Sequence, residues 1–525
     1  DKLGPEIEKA IETATQVLVV LSPHTVNSPW VRREVQKALA VEQRRKADGY
    51  RVIPVLLPGI TPGALGTWFD EEPVAEPIEI GPTGLSAALP RLLAALGERL
   101  PTDAKPFEEP DARPVAELFL TLNNPTVETV EGKRRARATA TLVYEPADSG
   151  ARSLVSQRRY SFTAPLGPIE TADLRWYLES YHLWPVGVFQ ERAAGIEARL
   201  PAWGAELFKA ALGEEEAREA LSAWQNAQKA ERRFSVQVDG DLPKGATEEA
   251  RASAQEAANE LLGLPWELLH DGDAWLFQGR DAVRIRRRLP NRKFQPARPS
   301  ALPLRILALS PRPEKAGYFD HRSSAEPLTA AVESLGALAR LTVLQPPTYV
   351  ELEKALQTAA ERDEPFDVVH FDGHGIYDRR QGLGGLCFEA LGDRPDERPM
   401  DLVYADRLAG LFRRHRIPLV FLDACQTAVE AAPTASVAAK LLDEGVTSVV
   451  AMSHSVLVET ARRFVKAFYA ELVQGARVGG AMLAGQRELF ADARRGKILG
   501  AGELKLQDWF VPVLYQEEQD PQLLT

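Results

Sequence analysis

His374 and Cys425 are the residues of this chain whose types and settings could carry out nucleophilic chemistry together. Each closes an apolar run: Phe366-Asp-Val-Val-His-Phe-Asp-Gly-His-Gly375 and Pro418-Leu-Val-Phe-Leu-Asp-Ala-Cys-Gln-Thr427. Such runs read as parallel strands buried on both faces, ending at Gly or at a small polar turn. In open α/β sheets chemistry collects at the carboxyl ends of the strands. The pattern therefore predicts His374 and Cys425 side by side on one rim. A free thiol, with a pKa of about 8.5, needs help to act as a nucleophile at neutral pH. An imidazole within reach can take its proton and later pass it to a leaving amine. Glycines flank His374, so the backbone there can turn sharply and a substrate can approach closely.

The pair is 51 positions apart in sequence, and in caspases the histidine precedes the cysteine by about 50 residues. The Gly-His-Gly and Asp-Ala-Cys-Gln-Thr motifs resemble those of the CHAT family of caspase-like cysteine proteases, which are relatives of separase. The resemblance spans roughly Val115 to Tyr515 and is closest from Leu302 onward. It implies a dyad with Cys425 as nucleophile and His374 as base, and an oxyanion held by the N–H groups of Cys425 and Gly375. In metacaspase-like relatives an Asp two residues before the cysteine binds a basic P1 side chain, a role that here falls to Asp423. Asp423 shares a strand of period two with Cys425, so it points to the same rim; its alternative role is to cap a turn. Asp372 and Asp378 are near in sequence, but the family works as a dyad. The resemblance implies no cofactor for the protease.

A repeated βα pattern positions these residues. It comprises strand Leu304–Leu309, helix Ala325–Leu338, strand Leu341–Leu344, helix Tyr349–Arg362, the two motif strands and strand Val446–Met452. Right-handed crossovers make this a mainly parallel sheet with helices on both faces. Cys387 reads as a packed thiol and His370, inside its strand, as a core histidine. His454 follows the last strand and is a candidate for the cleft wall. Gly382, Gly384 and Gly385 read as a turn, since no Lys-Ser/Thr accompanies them.

Upstream, Glu117–Leu122, Ala136–Tyr144 and Gln157–Ala164 have the alternation of antiparallel strands. A long helical stretch from Thr171 to about Arg232 carries Trp176, Tyr177, Tyr181, Trp184, Trp203 and Trp224, read as core. Strand Arg233–Val238 follows. Leu264–Asp271 resembles a CHAT element lying just before the protease core; His270 and Asp271 lack a nearby nucleophile and read as structural. Arg284, Arg286, Arg287 and Arg288, with Arg292 and Lys293, form a dense basic cluster. It reads as a solvated strand with Arg284, Arg286 and Arg288 outward and Ile285 inward, or else as a surface for an anionic partner.

In the first hundred residues, helices Glu6–Thr15, one starting near Ser28-Pro29, and Leu85–Leu96 alternate with strands Val17–Leu21 and Val52–Leu57. Ser28 is the expected N-cap and Pro29 the first helical residue. The wording Ser-x-Trp-Val-Arg-Arg-Glu followed by Ile-Pro-Val-Leu-Leu-Pro-Gly resembles a TIR domain. Many TIR domains hydrolyse NAD through a glutamate that here is Glu34. The strand and loop that open a TIR domain are missing before Asp1, so the chain reads as a fragment or processed product. Glu34 then stands either as that glutamate or as one solvated carboxylate among Arg32, Arg33 and Lys37.

The 525 residues exceed one core, and the 45% hydrophobic and 26% charged contents are those of a globular protein. Two cysteines exclude a disulfide framework and a Cys-rich zinc site, and a cytoplasmic setting is expected. No run spans a bilayer and no signal peptide is recognised. A net charge of −11 argues against general nucleic-acid binding. The expected organisation is a partial flavodoxin-like TIR domain (1–100), a linker (101–114), a mixed α+β non-catalytic region (115–300) and a caspase-like α/β sheet (301–525). The expected function is a cysteine endopeptidase controlled by TIR-mediated assembly, in bacterial defence by resemblance. Its partners would be a protein substrate, further copies of itself through the TIR part, and an upstream sensor or small-molecule signal. The alternatives are an NAD-hydrolysing TIR effector and a TIR scaffold regulating the protease.

Overall fold

A computed structural model of the chain describes residues 3–22, 25, 28–57, 60, 75, 77–80, 88, 91, 92, 95, 96, 115–147, 153–156, 158–227, 230–240 and 246–279. Beyond these it describes 281–289, 293, 299–314, 321–378, 383–391, 397–426, 433–498, 502–517 and 519–524. The chain divides into two compact units, Asp1–Ala112 and Arg113–Thr525.

In the first unit α1 (Leu3–Thr13), β1 (Gln16–Leu21), α2 (Pro29–Arg45), β2 (Arg51–Leu56) and β3 (Ile78–Glu79) follow in order, and the three strands form a parallel sheet. As the sequence predicts, Ser28 caps α2, its hydroxyl accepting from the Val31 N–H at 3.5 Å, with Pro29 opening the helix. Leu21, Val35, Leu39, Val52 and Leu56 make the small core. The expected helix Leu85–Leu96 lies largely, and the linker 101–114 wholly, outside the described residues.

The second unit is built on one 14-stranded sheet. Its strands are β4 (Val115–Val130), β5 (Lys133–Glu145), β6 (Leu154–Val155), β7 (Tyr160–Thr163), β8 (Glu231–Asp239), β9 (Val283–Arg288), β10 (Leu304–Leu309), β11 (Ala339–Val343), β12 (Val368–Asp378), β13 (Leu383–Glu389), β14 (Met400–Tyr404), β15 (Leu419–Gln426) and β16 (Ser448–Met452), completed by β19 (Pro512–Gln516). The antiparallel pair β17 (Arg494–Ile498) and β18 (Gly502–Lys505) stands apart. The main path runs β11-β10-β12-β15-β16-β19-β9-β8-β4-β5-β6. From β11 to β16 every neighbour is parallel, which is the sheet that the βα pattern predicts. Strands of the 115–300 and 301–525 regions meet where β19 pairs with β9, Tyr515 opposite Arg287.

Side chains alternate between two cores, as period two requires. Ile306, Val368, Leu419, Phe421 and Val450 face one core; Leu307, Val369, Phe371, Val420 and Val449 face the other. The first lies under α11 (Val458–Val473), through Phe464, Phe468 and Tyr469. The second lies under α8 (Tyr349–Glu361), α9 (Ala405–Arg414) and α10 (Pro433–Asp443), as Leu352, Leu408 and Leu441 show.

Several expectations need correcting. The Gly-His-Gly strand does not stop at its glycines. β12 continues to Asp378, leaving β15 at Gly375 and taking antiparallel β13 as partner, Gly375 opposite Leu386. Gly384 and Gly385 belong to β13 rather than to a turn, while Gly382 lies outside the described residues. Gly385 packs closely there: a Cβ would stand 3.1 Å from the Val403 carbonyl oxygen of β14, so the neighbouring strand would have to give by a few tenths of an ångström. The Thr171–Arg232 stretch breaks into α3 (Pro168–Glu179), α4 (Val188–Leu212) and α5 (Arg218–Gln225), and Arg232 already belongs to β8. Pro185 and Gly187, the latter at φ +56°, interrupt it. Trp184 falls in that interruption and is 70% exposed, so it is not core, unlike Tyr177, Tyr181, Trp203 and Trp224.

The basic cluster on β9 is not solvated. Arg286 and Arg287 are each 1% exposed. Arg286 donates to Glu117 at 2.7 Å and to the Ser235 hydroxyl at 2.7 Å. Arg233 bridges Glu117 (3.3 Å) and Asp520 (3.2 Å), and Arg284 pairs with Glu231 at 2.7 Å. Arg287 holds Glu267 at 2.6 and 3.0 Å. β9 lies between β8 and β19, so its side chains find carboxylates on both sides instead of water.

Candidate active site

The carboxyl ends of β10, β12, β15 and β16 form one rim of the parallel sheet. In the register of β12 and β15, His374 stands opposite Cys425 and Asp372 opposite Asp423. Adjacent parallel strands lie about 4.8 Å apart, so residues opposite each other in this register are immediate neighbours along the rim. Gly373, between Asp372 and His374, allows a close approach: a Cβ there would come within 2.9 Å of the Phe371 ring.

His374 is 2% exposed, and burial followed by the charge of Arg312 holds its pKa below the ordinary histidine value. The imidazole is therefore neutral at neutral pH, the form that accepts a proton. Gly375, the other expected oxyanion residue, sits where β12 changes partner.

The Arg312 guanidinium is bonded to Asp372 and acts on Asp423 through its charge. Arg312 donates from one terminal nitrogen to the Asp372 carboxylate at 2.6 Å and from the other to the Asp372 carbonyl oxygen at 2.7 Å. The Ser310 hydroxyl adds a bond to the same carboxylate at 3.2 Å. The Arg312 backbone N–H donates to Glu389 at 2.8 Å, which fixes the base of the side chain. Burial raises the pKa of Asp372, with Arg312 acting against it. Asp423 is only partly buried by exposed area, yet desolvation and then the Asp372 charge push its pKa up to about 7, against a smaller effect of Arg312. Of two facing carboxyls, the one bonded to the guanidinium ionises first. Sequence reasoning set Asp372 aside as a third catalytic partner and missed Ser310 and Arg312. The signal was present, because Ser310-Pro-Arg312 follows β10, and the rule that located His374 applies equally to β10.

The CHAT domain family model matches residues 254–518, just over half of the chain, and a TIR domain model matches residues 1–72. The chain belongs to the CHAT-domain family. Two crystal structures of the Saccharomyces cerevisiae separase–securin complex are similar to this CHAT-domain chain. Each covers 76% of it at 10% identity, with TM-scores of 0.38 and 0.37. The chain spans 30% of the length of the matched chain in each. A comparison with curated proteins finds no match.

The other histidines and Cys387 of the CHAT domain have different settings. His370 is buried four residues before His374, stacked on Phe421 at 4.3 Å and hydrogen-bonded to the Tyr469 hydroxyl at 2.9 Å. Burial depresses its pKa to about 3, as expected of a core histidine. Cys387 is fully buried, and burial raises its thiol to about 11, too high for a nucleophile. His454 follows β16 at the rim, half-buried, with the Ser453 hydroxyl 3.1 Å from its Nδ1. Burial, then Arg175, lowers its pKa to about 4. The next residue, Ser455, donates its N–H to Glu179 of α3 at 3.2 Å, so the 115–300 region meets the rim here. His270 and Asp271 serve a turn, accepting backbone N–H groups from Gly272 and from Asp273 and Ala274.

In the TIR-matched unit Glu34 lies on α2 and is partly buried, with one carboxylate oxygen buried and without a hydrogen-bond partner among the described residues. Lys37 pairs with Glu8 and Glu12. Among the described residues no group of His, Cys, Asp and Glu is arranged to hold a metal, and no helix is long and apolar enough to cross a membrane.

Proposed function

We propose that this chain is a cysteine endopeptidase in which His374 activates Cys425. The observation that carries this reading is the register that sets the two residues opposite each other at the carboxyl ends of adjacent parallel strands. In the first step His374 takes the Cys425 thiol proton and the thiolate attacks the scissile carbonyl carbon. The oxyanion meets the N–H groups of Cys425 and Gly375, as the family resemblance implies. The His374 proton then passes to the leaving amine, the C–N bond breaks, and an acyl-enzyme remains for water to hydrolyse. Asp423 supplies specificity for Arg or Lys at P1, because a carboxylate and a guanidinium form a charge-assisted pair. The TIR part controls this activity through self-association, in a bacterial defence setting.

Cys425→Ala should reduce cleavage of peptide and protein substrates to background, read by proteomic cleavage profiling against wild type. Undiminished cleavage would sink the proposal. The same profiles report the P1 preference, and an absence of basic enrichment at P1 would remove Asp423 from its role.

A second reading concerns NAD hydrolysis by the TIR part. It is favoured by the buried carboxylate oxygen of Glu34 that has no hydrogen-bond partner among the described residues. NAD loss on incubation with assembled protein, abolished by Glu34→Gln, would support it, and no loss in any assembled state would dismiss it.

A further inference from the structure

Asp372 stands opposite Asp423 in the β12–β15 register, so two carboxylates occupy neighbouring positions just inside the dyad. Among the described residues one guanidinium is bonded here, and it is committed to Asp372 by bonds of 2.6 and 2.7 Å. Arg312 enters from the end of β10, the neighbour of β12 on the side away from β15. It therefore reaches Asp372 first, with Asp423 about one strand spacing, ~4.8 Å, further on. A long, flexible side chain covers that distance by rotating a few torsions. Arg312 already acts electrostatically on Asp423 from its present place.

We propose that Asp372 is a positioning residue for substrate specificity: by holding Arg312 in an ion pair it keeps that guanidinium off Asp423, leaving Asp423 to meet the positive side chain of a protein substrate. This rests on the reading of Asp423 as the P1 residue. Among the described residues the cluster then carries one carboxylate in excess of its internal cation and accepts one further cation. Without Asp372, the internal arginine becomes the occupant of the pocket, an intramolecular mimic of a basic P1 residue.

The test compares matched peptide substrates with Arg or Gln at P1, with kcat/KM read for wild type, Asp372→Asn, Arg312→Met and the double variant. The ratio of the two substrates cancels changes in the dyad that affect both alike. Asp372→Asn should lower the Arg/Gln ratio by roughly tenfold or more, as Arg312 moves onto Asp423. The double variant should restore it to the wild-type value or above, since the competing guanidinium is gone. A clip that is merely structural predicts loss of both substrates together and no restoration. An unchanged ratio in Asp372→Asn, or a double variant as low as the single one, overturns the proposal. Should Asp372→Asn not fold, Arg312→Met decides when read at a pH where Asp423 is charged, because removing the Arg312 charge raises the Asp423 pKa; there a ratio at or above wild type is expected and a fall overturns the proposal. A wild type without Arg preference overturns the Asp423 reading and this proposal together, whereas Arg preference that survives Asp372→Asn overturns this proposal alone.

Discussion

The arginines of β9 and the arginine beyond β10 are both withdrawn from solvent, and they sit in different electrostatic company. On β9 and its neighbours Arg233, Arg284 and Arg286 meet Glu117, Glu231 and Asp520, while Arg287 meets Glu267. Each of these four cations has a carboxylate. At the rim one cation among the described residues, Arg312, stands beside Asp372 and Asp423. Balanced charge joins strands drawn from distant parts of the chain, whereas surplus charge at a strand end is suited to meet a charge from outside. Burying an ion pair yields little net stability, but removing one member strands the other. Damage to the β9 seam should therefore show as unfolding, and damage to the rim as altered choice of substrate.

The largest expected effect is on the seam. Glu117 accepts from Arg233, Arg286 and the Ser235 hydroxyl, and those two cations hold its pKa down although burial opposes them. Glu117→Ala leaves two buried guanidinium groups short of a counter-ion. It should destabilise the fold by about 3–5 kcal/mol, read from the denaturant midpoint. The P1 preference of the molecules that remain folded should be unchanged. A stability loss below about 1 kcal/mol, with altered P1 preference, would erase the distinction between the two clusters.

How much of this was legible follows from where each partner comes from. β10 was readable to the residue, and the rim positions of His374 and Cys425 were readable from a strand pattern and a general rule about strand ends. His370 and His374 were separable because one lies inside an apolar run and the other between glycines. The β9 arginines were misread because their neutralising carboxylates, Glu117 and Asp520, lie on segments far from β9 in sequence, and local composition does not reveal which strands flank it. The Asp372–Arg312 pair was hidden for a similar reason, since it joins the ends of two strands about sixty positions apart. Patterns within a strand predict its faces; they do not predict charge balance between strands.

A smaller effect is expected at the rim. Asp423→Ala should reduce discrimination between basic and neutral P1 side chains by roughly 5- to 150-fold, the equivalent of about 1–3 kcal/mol for an unpaired polar group. The thermal midpoint should hold or rise, because the substitution removes a carboxyl whose ionisation Asp372 already opposes. A large fall in that midpoint with discrimination intact would place Asp423 with the structural charges, as a turn cap.

The smallest and sharpest effect is on pH dependence. Burial and the Asp372 charge hold the Asp423 carboxyl near pKa 7, well above an ordinary aspartate. A raised carboxyl pKa means the neutral form persists below that pH and the charged form prevails above it. With a pKa of about 7 the charged fraction climbs from about one tenth at pH 6 to about nine tenths at pH 8. Binding of a basic P1 side chain should follow it, so the ratio of kcat/KM for Arg over Gln at P1 should rise by nearly tenfold across that interval. Titration of Cys425 and His374 affects both substrates and cancels in the ratio. In Asp423→Asn the ratio should be low and flat with pH. A wild-type ratio that is flat from pH 6 to 8, or that falls as pH rises, would mean that Asp423 is charged throughout or does not meet the substrate. The rim would then be as electrostatically closed as the β9 seam.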